Sequence, residues 1–145
     1  MSYPKHLITA IIAMSVFLTS SAYADQSKGL NVMVTSPDQQ SQMMAMVLSV
    51  MTMKKHQKEI NMVLCGPAGD LALMSTKTKA LKPSGKSPTQ LLHALLKMGA
   101  KVEVCPLYLP NNGKTEAELI KGISVAKPPV VAGRLLDNNY KILTY

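Results

Sequence analysis

The alternation of apolar and polar positions predicts five short β-strands. They are expected at residues 30–35, 59–65, 101–105, 123–125 and 140–145. In the third of these, Val102 and Val104 alternate with charged residues, which is the period-two pattern of a strand. Pro106 has no backbone N–H and cannot continue a paired interior strand, so this strand should end at Cys105.

Helix-start signals separate the strands. Helices are expected at about 36–55, 68–74, 88–99, 115–122 and 128–136. The first begins at Ser36, with Pro37 at the first helical position and Gln39 completing a capping box. The same arrangement recurs at Ser87, and a third capping box, without the proline, starts at Thr115. Residues 75–86 form a polar, basic loop with Lys77, Lys79, Lys82 and Lys86, expected to be exposed and able to cover a site or attract an acidic partner.

This order of elements predicts an α/β fold. A strand followed repeatedly by a helix is typical of a single, doubly wound parallel sheet, here with five strands. Right-handed crossovers would place helices on both faces. We expect the flavodoxin-like strand order, in which the second and third strands flank the first. The carboxyl ends of all strands then share one edge, where Thr35, Cys65 and Cys105 should gather.

The first 24 residues have the pattern of a secretory signal peptide. Lys5 and His6 give a positive start, and 7–18 is an apolar run that is too short to span a bilayer, which needs about 20 residues. Ala22-Tyr23-Ala24 offers a small-x-small cleavage site. We therefore expect cleavage after Ala24, a domain at 25–145, and a periplasmic or secreted protein with no membrane span in the mature chain.

Composition narrows the function classes. Hydrophobic residues make up 47% and charged residues 17% of the 145-residue chain, which indicates one globular domain. The net charge is +8, but it comes almost entirely from Lys, and Arg134 is the only arginine. Lys without interleaved aromatic residues is a poor basis for nucleic-acid recognition, so no nucleic-acid partner is expected. Dinucleotide-binding, phosphate-loop and zinc-ligand patterns are missing, so no cofactor is expected.

The methionine-rich segment 43–53 of the first long helix is apolar nearly all round. Such a helix is buried on more than one side, so one face should pack on the sheet and the other against a second subunit. Thioethers can bind Cu(I), but no His or Cys joins the run, and core packing is the better interpretation. His93 lacks a second ligand one turn away. No metal site is therefore expected.

The stretch Gly99-Ala-Lys-Val-Glu-Val-Cys-Pro106 resembles the DsrE/DsrF-like family, which has the YchN-like fold. The resemblance extends over the loop 107–114, the segment 115–122 and the strand 123–125. It implies a compact α/β domain that assembles into homo-oligomers, trimers or hexamers. It also implies sulfur relay, in which Cys105 carries persulfide sulfur between a donor and an acceptor protein.

Cys105 has three possible states. It could be a reactive thiol, an inert residue, or half of a disulfide with Cys65, since exported proteins often contain disulfides. In the flavodoxin-like order the two strands would lie roughly 9.6 Å apart, beyond the Cα separation of about 7 Å that a disulfide allows. A sulfur carrier or sulfurtransferase centred on Cys105 is one function class. A non-catalytic oligomeric module that binds a small molecule or protein at the strand-end cleft is the other.

Overall fold

Five parallel strands form a single sheet. The computed structural model describes residues 27–145, so the expected signal peptide at 1–24 lies outside the described residues. The strands are β1 (Gly29–Val34), β2 (Glu59–Leu64), β3 (Lys101–Val104), β4 (Ile123–Val125) and β5 (Tyr140–Thr144). The predicted α/β class and all five predicted strands are confirmed.

Within residues 27–145, four α-helices and two 3-10 helices connect the strands. They are α1 (Gln39–His56), α2 (Pro88–Lys97), α3 (Tyr108–Asn111) and α4 (Pro128–Leu135), with 3-10 helices at Gly66–Ala72 and Glu116–Glu118. In the described part of the chain, no helix has the length and apolar character needed to cross a membrane.

The strand order is β4-β3-β2-β1-β5, so the expected flavodoxin-like order is wrong. The chain adds β2, β3 and β4 successively on one side of β1, and only β5 returns to the other side. Periodicity within a strand shows which face is buried, but it carries no information about which strand is the neighbour. The consequence is large for the site, because β2 and β3 are hydrogen-bonded neighbours rather than the two flanks of β1.

The two faces of the sheet are covered differently. One face carries the core together with α1, α2 and the first 3-10 helix, and its largest fully buried strand residues are Val32, Val34, Met62, Leu64, Val102 and Val104. The other face meets α4, where the Arg134 side chain contacts Glu103 of β3 and the Arg134 carbonyl accepts a hydrogen bond from Asn31 of β1. Burial is therefore concentrated on the α1 and α2 side, since no residue of α4 is fully buried.

Helix α1 begins two residues later than expected. Its cap is Asp38, whose carboxylate accepts from the Ser41 N–H at 2.8 Å, while Ser36 accepts from the Asp38 N–H at 3.1 Å. Ser36 therefore orients the capping residue rather than capping the helix itself. The two-sided apolar character is confirmed in part: Met43 and Met46 are buried in the core, whereas other apolar side chains of this helix are exposed.

The helix expected at 115–122 is reduced to a single 3-10 turn. The Thr115 and Glu118 capping box is present, as predicted. The helix ends there because the next residues pair with another segment: the Met74 N–H donates to the Glu118 carbonyl, and the Ile120 N–H donates to the Ala72 carbonyl, both at 2.9 Å. A capping box marks where a helix begins. The length of this helix is decided instead by the backbone hydrogen bonds to the distant segment.

The basic loop 75–86 is largely exposed, as expected, but it is tied to the domain at several points. Thr78 and Thr89 share a hydrogen bond at 2.9 Å, and the Lys79 N–H donates to the Gln39 side chain at 3.2 Å. Leu81 packs against the core. Helix α2 follows with the predicted Ser87 capping box in place.

Candidate functional site: two thiols on neighbouring strands

Cys65 and Cys105 occupy equivalent positions at the carboxyl ends of β2 and β3. The ladder pairs Leu64 with Val104, so each cysteine is the next residue along its strand. The Cys105 N–H donates to the Leu64 carbonyl at 2.9 Å, which continues the β2–β3 ladder by one bond. The Cys65 N–H donates to the Val34 carbonyl at 2.9 Å, which fixes the other side of β2. The two cysteines thus lie closer together at the sheet edge than the predicted strand order allowed.

The two side chains interact directly. Both residues are half-buried, and both are free thiols. Burial, then hydrogen bonding to Cys105 and the charge interaction with Cys105, raise the pKa of the Cys65 thiol from 9.0 to about 12. The raised pKa keeps the Cys65 thiol protonated at neutral pH.

Tyr108 connects the segments that follow the two cysteines. Its N–H donates to the Cys105 carbonyl at 3.0 Å. Its ring is buried against Gly69, so closely that a side-chain carbon added to the glycine would overlap the ring. Its hydroxyl donates to the Asp70 carboxylate, and burial followed by this bond raises the pKa of Tyr108. The loop after Cys105 is thereby packed on the 3-10 helix that starts next to Cys65.

This packing was missed by the sequence reasoning. Tyr108 lies close to the strand end that carries Cys105, but its partners Gly69 and Asp70 are about forty positions away and carry no motif. A Gly followed by Asp is a common turn pattern, which gives no reason to expect a buried tyrosine beside it. Only the spatial pairing of β2 with β3 brings them together.

An ion pair fixes β3 from the opposite face. Glu103 is buried, and its carboxylate accepts from the Arg134 guanidinium of α4. The Lys101 ammonium lies 3.8 Å from the same carboxylate and is half-exposed. The chain's only arginine therefore holds α4 against the strand that ends at Cys105. Its role in the fold could not be seen from charge composition.

A cleft lies beside the segments that follow β1 and β2, and neither cysteine is among its lining residues. It encloses about 240 Å³ between the start of α1, the first 3-10 helix and the basic loop. Pro67 and Asp70 line one side and Lys77 and Thr78 the other. Of the lysines in the loop, Lys77 is thus placed beside the segment that follows Cys65. The Thr115 start, by contrast, belongs to a three-residue turn and offers no helix dipole to either thiol.

Other sequence-predicted candidates lie elsewhere. His93 is exposed on α2, as expected for a surface histidine. Met43 and Met46 pack in the core. Within residues 27–145, no group of three or more His, Cys, Asp or Glu side chains is placed to hold a metal ion.

Comparison with protein-family models gives no match, and comparison with curated proteins gives none either. Solved structures do match. The crystal structure of the ychN protein from E. coli aligns with a TM-score of 0.66 and 18% identity, covering 81% of this chain and 99% of that one. MTH1491 from Methanobacterium thermoautotrophicum, a protein of unknown function, aligns with a TM-score of 0.60 and 10% identity, covering 81% and 98%. The fold of this chain is therefore the YchN/DsrE-like α/β fold.

Proposed function

We propose that this chain is an exported DsrE-like sulfur carrier in which Cys105 takes up and passes on sulfur as a persulfide. The observation that supports this most is the position of Cys105, a half-buried free thiol at the carboxyl end of β3 with a second thiol beside it. Carboxyl ends of parallel strands are where open α/β sheets bind their ligands.

The chemistry needs a thiolate that can attack and later be relieved of a sulfur atom. The Cys105 thiolate attacks the outer sulfur of a donor persulfide, R–S–SH, forming Cys105–S–SH and releasing the donor as R–S⁻. An acceptor thiolate then attacks the outer sulfur and regenerates the Cys105 thiolate. In both steps the attacking group is a thiolate, which is the nucleophilic form of a cysteine.

Persulfide loading tests the proposal. A purified Cys65→Ser chain is incubated with inorganic polysulfide, and its intact mass is measured with and without reductant. We expect a gain of about 32 Da, one sulfur atom, that reductant removes. The matched control is the Cys65→Ser/Cys105→Ser double variant, which should gain nothing. Equal loading of the double variant would refute a role for Cys105.

The cleft of about 240 Å³ supports a second candidate, a non-catalytic binding module for a small molecule or protein partner. Lys77 of the basic loop lines this cleft, which favours an acidic ligand. On this hypothesis, ligand binding measured by calorimetry survives Cys105→Ser and weakens in Lys77→Ala. Loss of binding in Cys105→Ser with no effect of Lys77→Ala would favour the sulfur carrier instead.

We further propose that the carrier is a homo-oligomer, a trimer or hexamer. Support comes from the solvent side of α1, where Met44, Leu48 and Met51 are 48%, 38% and 45% exposed. Light scattering should give a multiple of the protomer mass. Met51→Lys should lower that mass, whereas Met74→Lys, at a 62% exposed position outside α1, should not. A wild-type chain that is monomeric at all concentrations would contradict this.

Export is proposed from residues 1–24, which would direct the chain to the periplasm or outside the cell and be removed. Sulfur donor and acceptor proteins would then be met in that compartment. Expression of the full chain in a bacterium, followed by fractionation and intact-mass measurement, tests this. A chain that starts at Asp25 and lies outside the cytoplasm is expected, and an uncleaved cytoplasmic chain would contradict export.

A further inference from the structure

The adjacency of the two cysteines places them within reach of a disulfide. Cys65 and Cys105 follow a paired position of two neighbouring parallel strands, so their Cα atoms are separated by about 4.8 Å, the strand spacing. Disulfides span Cα separations of about 4.4 to 6.8 Å. Residues in register on neighbouring parallel strands also project to the same face. The separation of roughly 9.6 Å expected from the flavodoxin-like order, which opposed such a bond, does not apply to this sheet.

A bond at this position would be reversible rather than structural. Regular strand spacing holds the two Cβ atoms roughly 1 Å farther apart than the mean of about 3.8 Å in disulfides, so closure requires a local movement. Gly66, which follows Cys65 with a φ of 52°, gives the β2 side a turn in which to move. Strained, accessible disulfides are the more easily reduced ones.

We propose that Cys65 is the resolving thiol of this site and releases the carried sulfur as hydrogen sulfide. This step rests on the proposed persulfide at Cys105. The Cys65 sulfur attacks the inner sulfur of Cys105–S–SH, so that a Cys65–Cys105 bond forms and the bond to the outer sulfur breaks. The proton of the Cys65 thiol leaves with the outer sulfur as H₂S. The two thiols are oxidised by two electrons, and the sulfane sulfur is reduced by two.

The pair is returned to its starting state by a dithiol reductant, for example a partner protein with two neighbouring thiols. That reductant gives up two electrons and two protons to the Cys65–Cys105 disulfide and becomes a disulfide itself. Because Cys65 is protonated at neutral pH, its attack is slow relative to that of a free thiolate. An acceptor that takes the outer sulfur before this attack receives it as a persulfide, and otherwise the sulfur leaves as sulfide.

The test follows sulfide release and chain mass together. Wild type and Cys65→Ser are loaded with polysulfide, freed of excess reagent and left to react. Wild type should release about one sulfide per chain and become about 2 Da lighter than the reduced chain, the mass of two hydrogens. Cys65→Ser should keep its extra mass of about 32 Da, one sulfur, and release at least tenfold less sulfide. Cys65→Ala provides a second variant if the serine protein folds poorly.

The experiment distinguishes a wrong resolving role for Cys65 from a wrong carrier role for Cys105. If wild type and Cys65→Ser both keep the extra sulfur and neither forms a disulfide, Cys65 is not a resolving thiol, although Cys105 is still a carrier. If Cys65→Ser and Cys65→Ala fold but take up no sulfur, both the carrier and the resolving step are wrong. A disulfide formed in wild type only through chains of two different molecules, seen as a doubled mass, would also overturn the inference.

Discussion

Replacing Gly69 with alanine tests how the segments after the two cysteines are held together. An alanine Cβ at this position would lie 2.5 and 2.6 Å from two carbon atoms of the Tyr108 ring and closer still to a third. Carbon atoms prefer separations of about 3.5 to 4.0 Å, so the ring must move by about 1 Å. The Tyr108 ring is buried, and its hydroxyl donates a hydrogen bond to Asp70. The ring therefore cannot rotate into solvent without losing both its packing and this hydrogen bond. We expect a loss of about 1 to 3 kcal/mol in the free energy of unfolding, the usual cost of overpacking.

Urea unfolding followed by circular dichroism measures this loss. With a denaturant slope of about 1 to 3 kcal/mol/M, the midpoint should fall by about 1 M. The matched control is Gly133→Ala in α4, where the added carbon meets open space and helix propensity should stabilise by about 0.5 to 1 kcal/mol. A Gly69→Ala midpoint equal to wild type would refute close packing of Tyr108 on Gly69.

Three further perturbations test other contacts of the fold and the site. Arg134→Met leaves Glu103 buried without its main partner and should lower the free energy of unfolding, measured in urea, by about 3 to 5 kcal/mol. Glu103→Gln in the same chain should restore most of this loss. A loss under about 1 kcal/mol would show that the fold does not need the ion pair. Ser87→Ala removes the capping box of α2 and should cost about 1 kcal/mol, whereas an unchanged thermal midpoint would contradict the cap. The pKa of Cys65 is raised, so the stability due to its protonated form is complete below pH 9.0 and is lost towards pH 12. The free energy of unfolding of wild type relative to Cys65→Ser should fall across that window, and parallel pH profiles of the two chains would contradict it.

The strands were predictable because their signals are local. Alternating side chains and nearby Pro or Gly residues delimit each strand, and the predicted 123–125 strand agrees with β4 to the residue. The short length of β4 is also a local sign that it lies at the edge of the sheet. The order of the three inner strands has no such local sign, because β1, β2 and β3 each carry apolar positions that can be buried. Which strands are neighbours is decided by how the connecting helices pack, and this is a property of the whole chain.

Only part of the candidate site, the position of Cys105, could be predicted from the sequence. Cys105 could be singled out because a strand pattern ends there at a proline. Cys65 was identified as a strand-end residue, but its contact with Cys105 depends on the strand order and was therefore underestimated. Gly69, Asp70 and Tyr108 were missed for the same reason, since each has its role only through a partner that is far away in the sequence.

Reactivity of Cys105 in the folded chain tests the central claim most directly. The native protein is treated at about neutral pH with a limiting amount of iodoacetamide, quenched, digested, and analysed by peptide mass spectrometry. We predict that the Cys105 peptide is alkylated first and that Cys65, with its raised pKa, remains largely unmodified until the chain is unfolded. A Cys105 that reacts only after unfolding, or later than Cys65, would contradict a solvent-reachable carrier thiol at the end of β3.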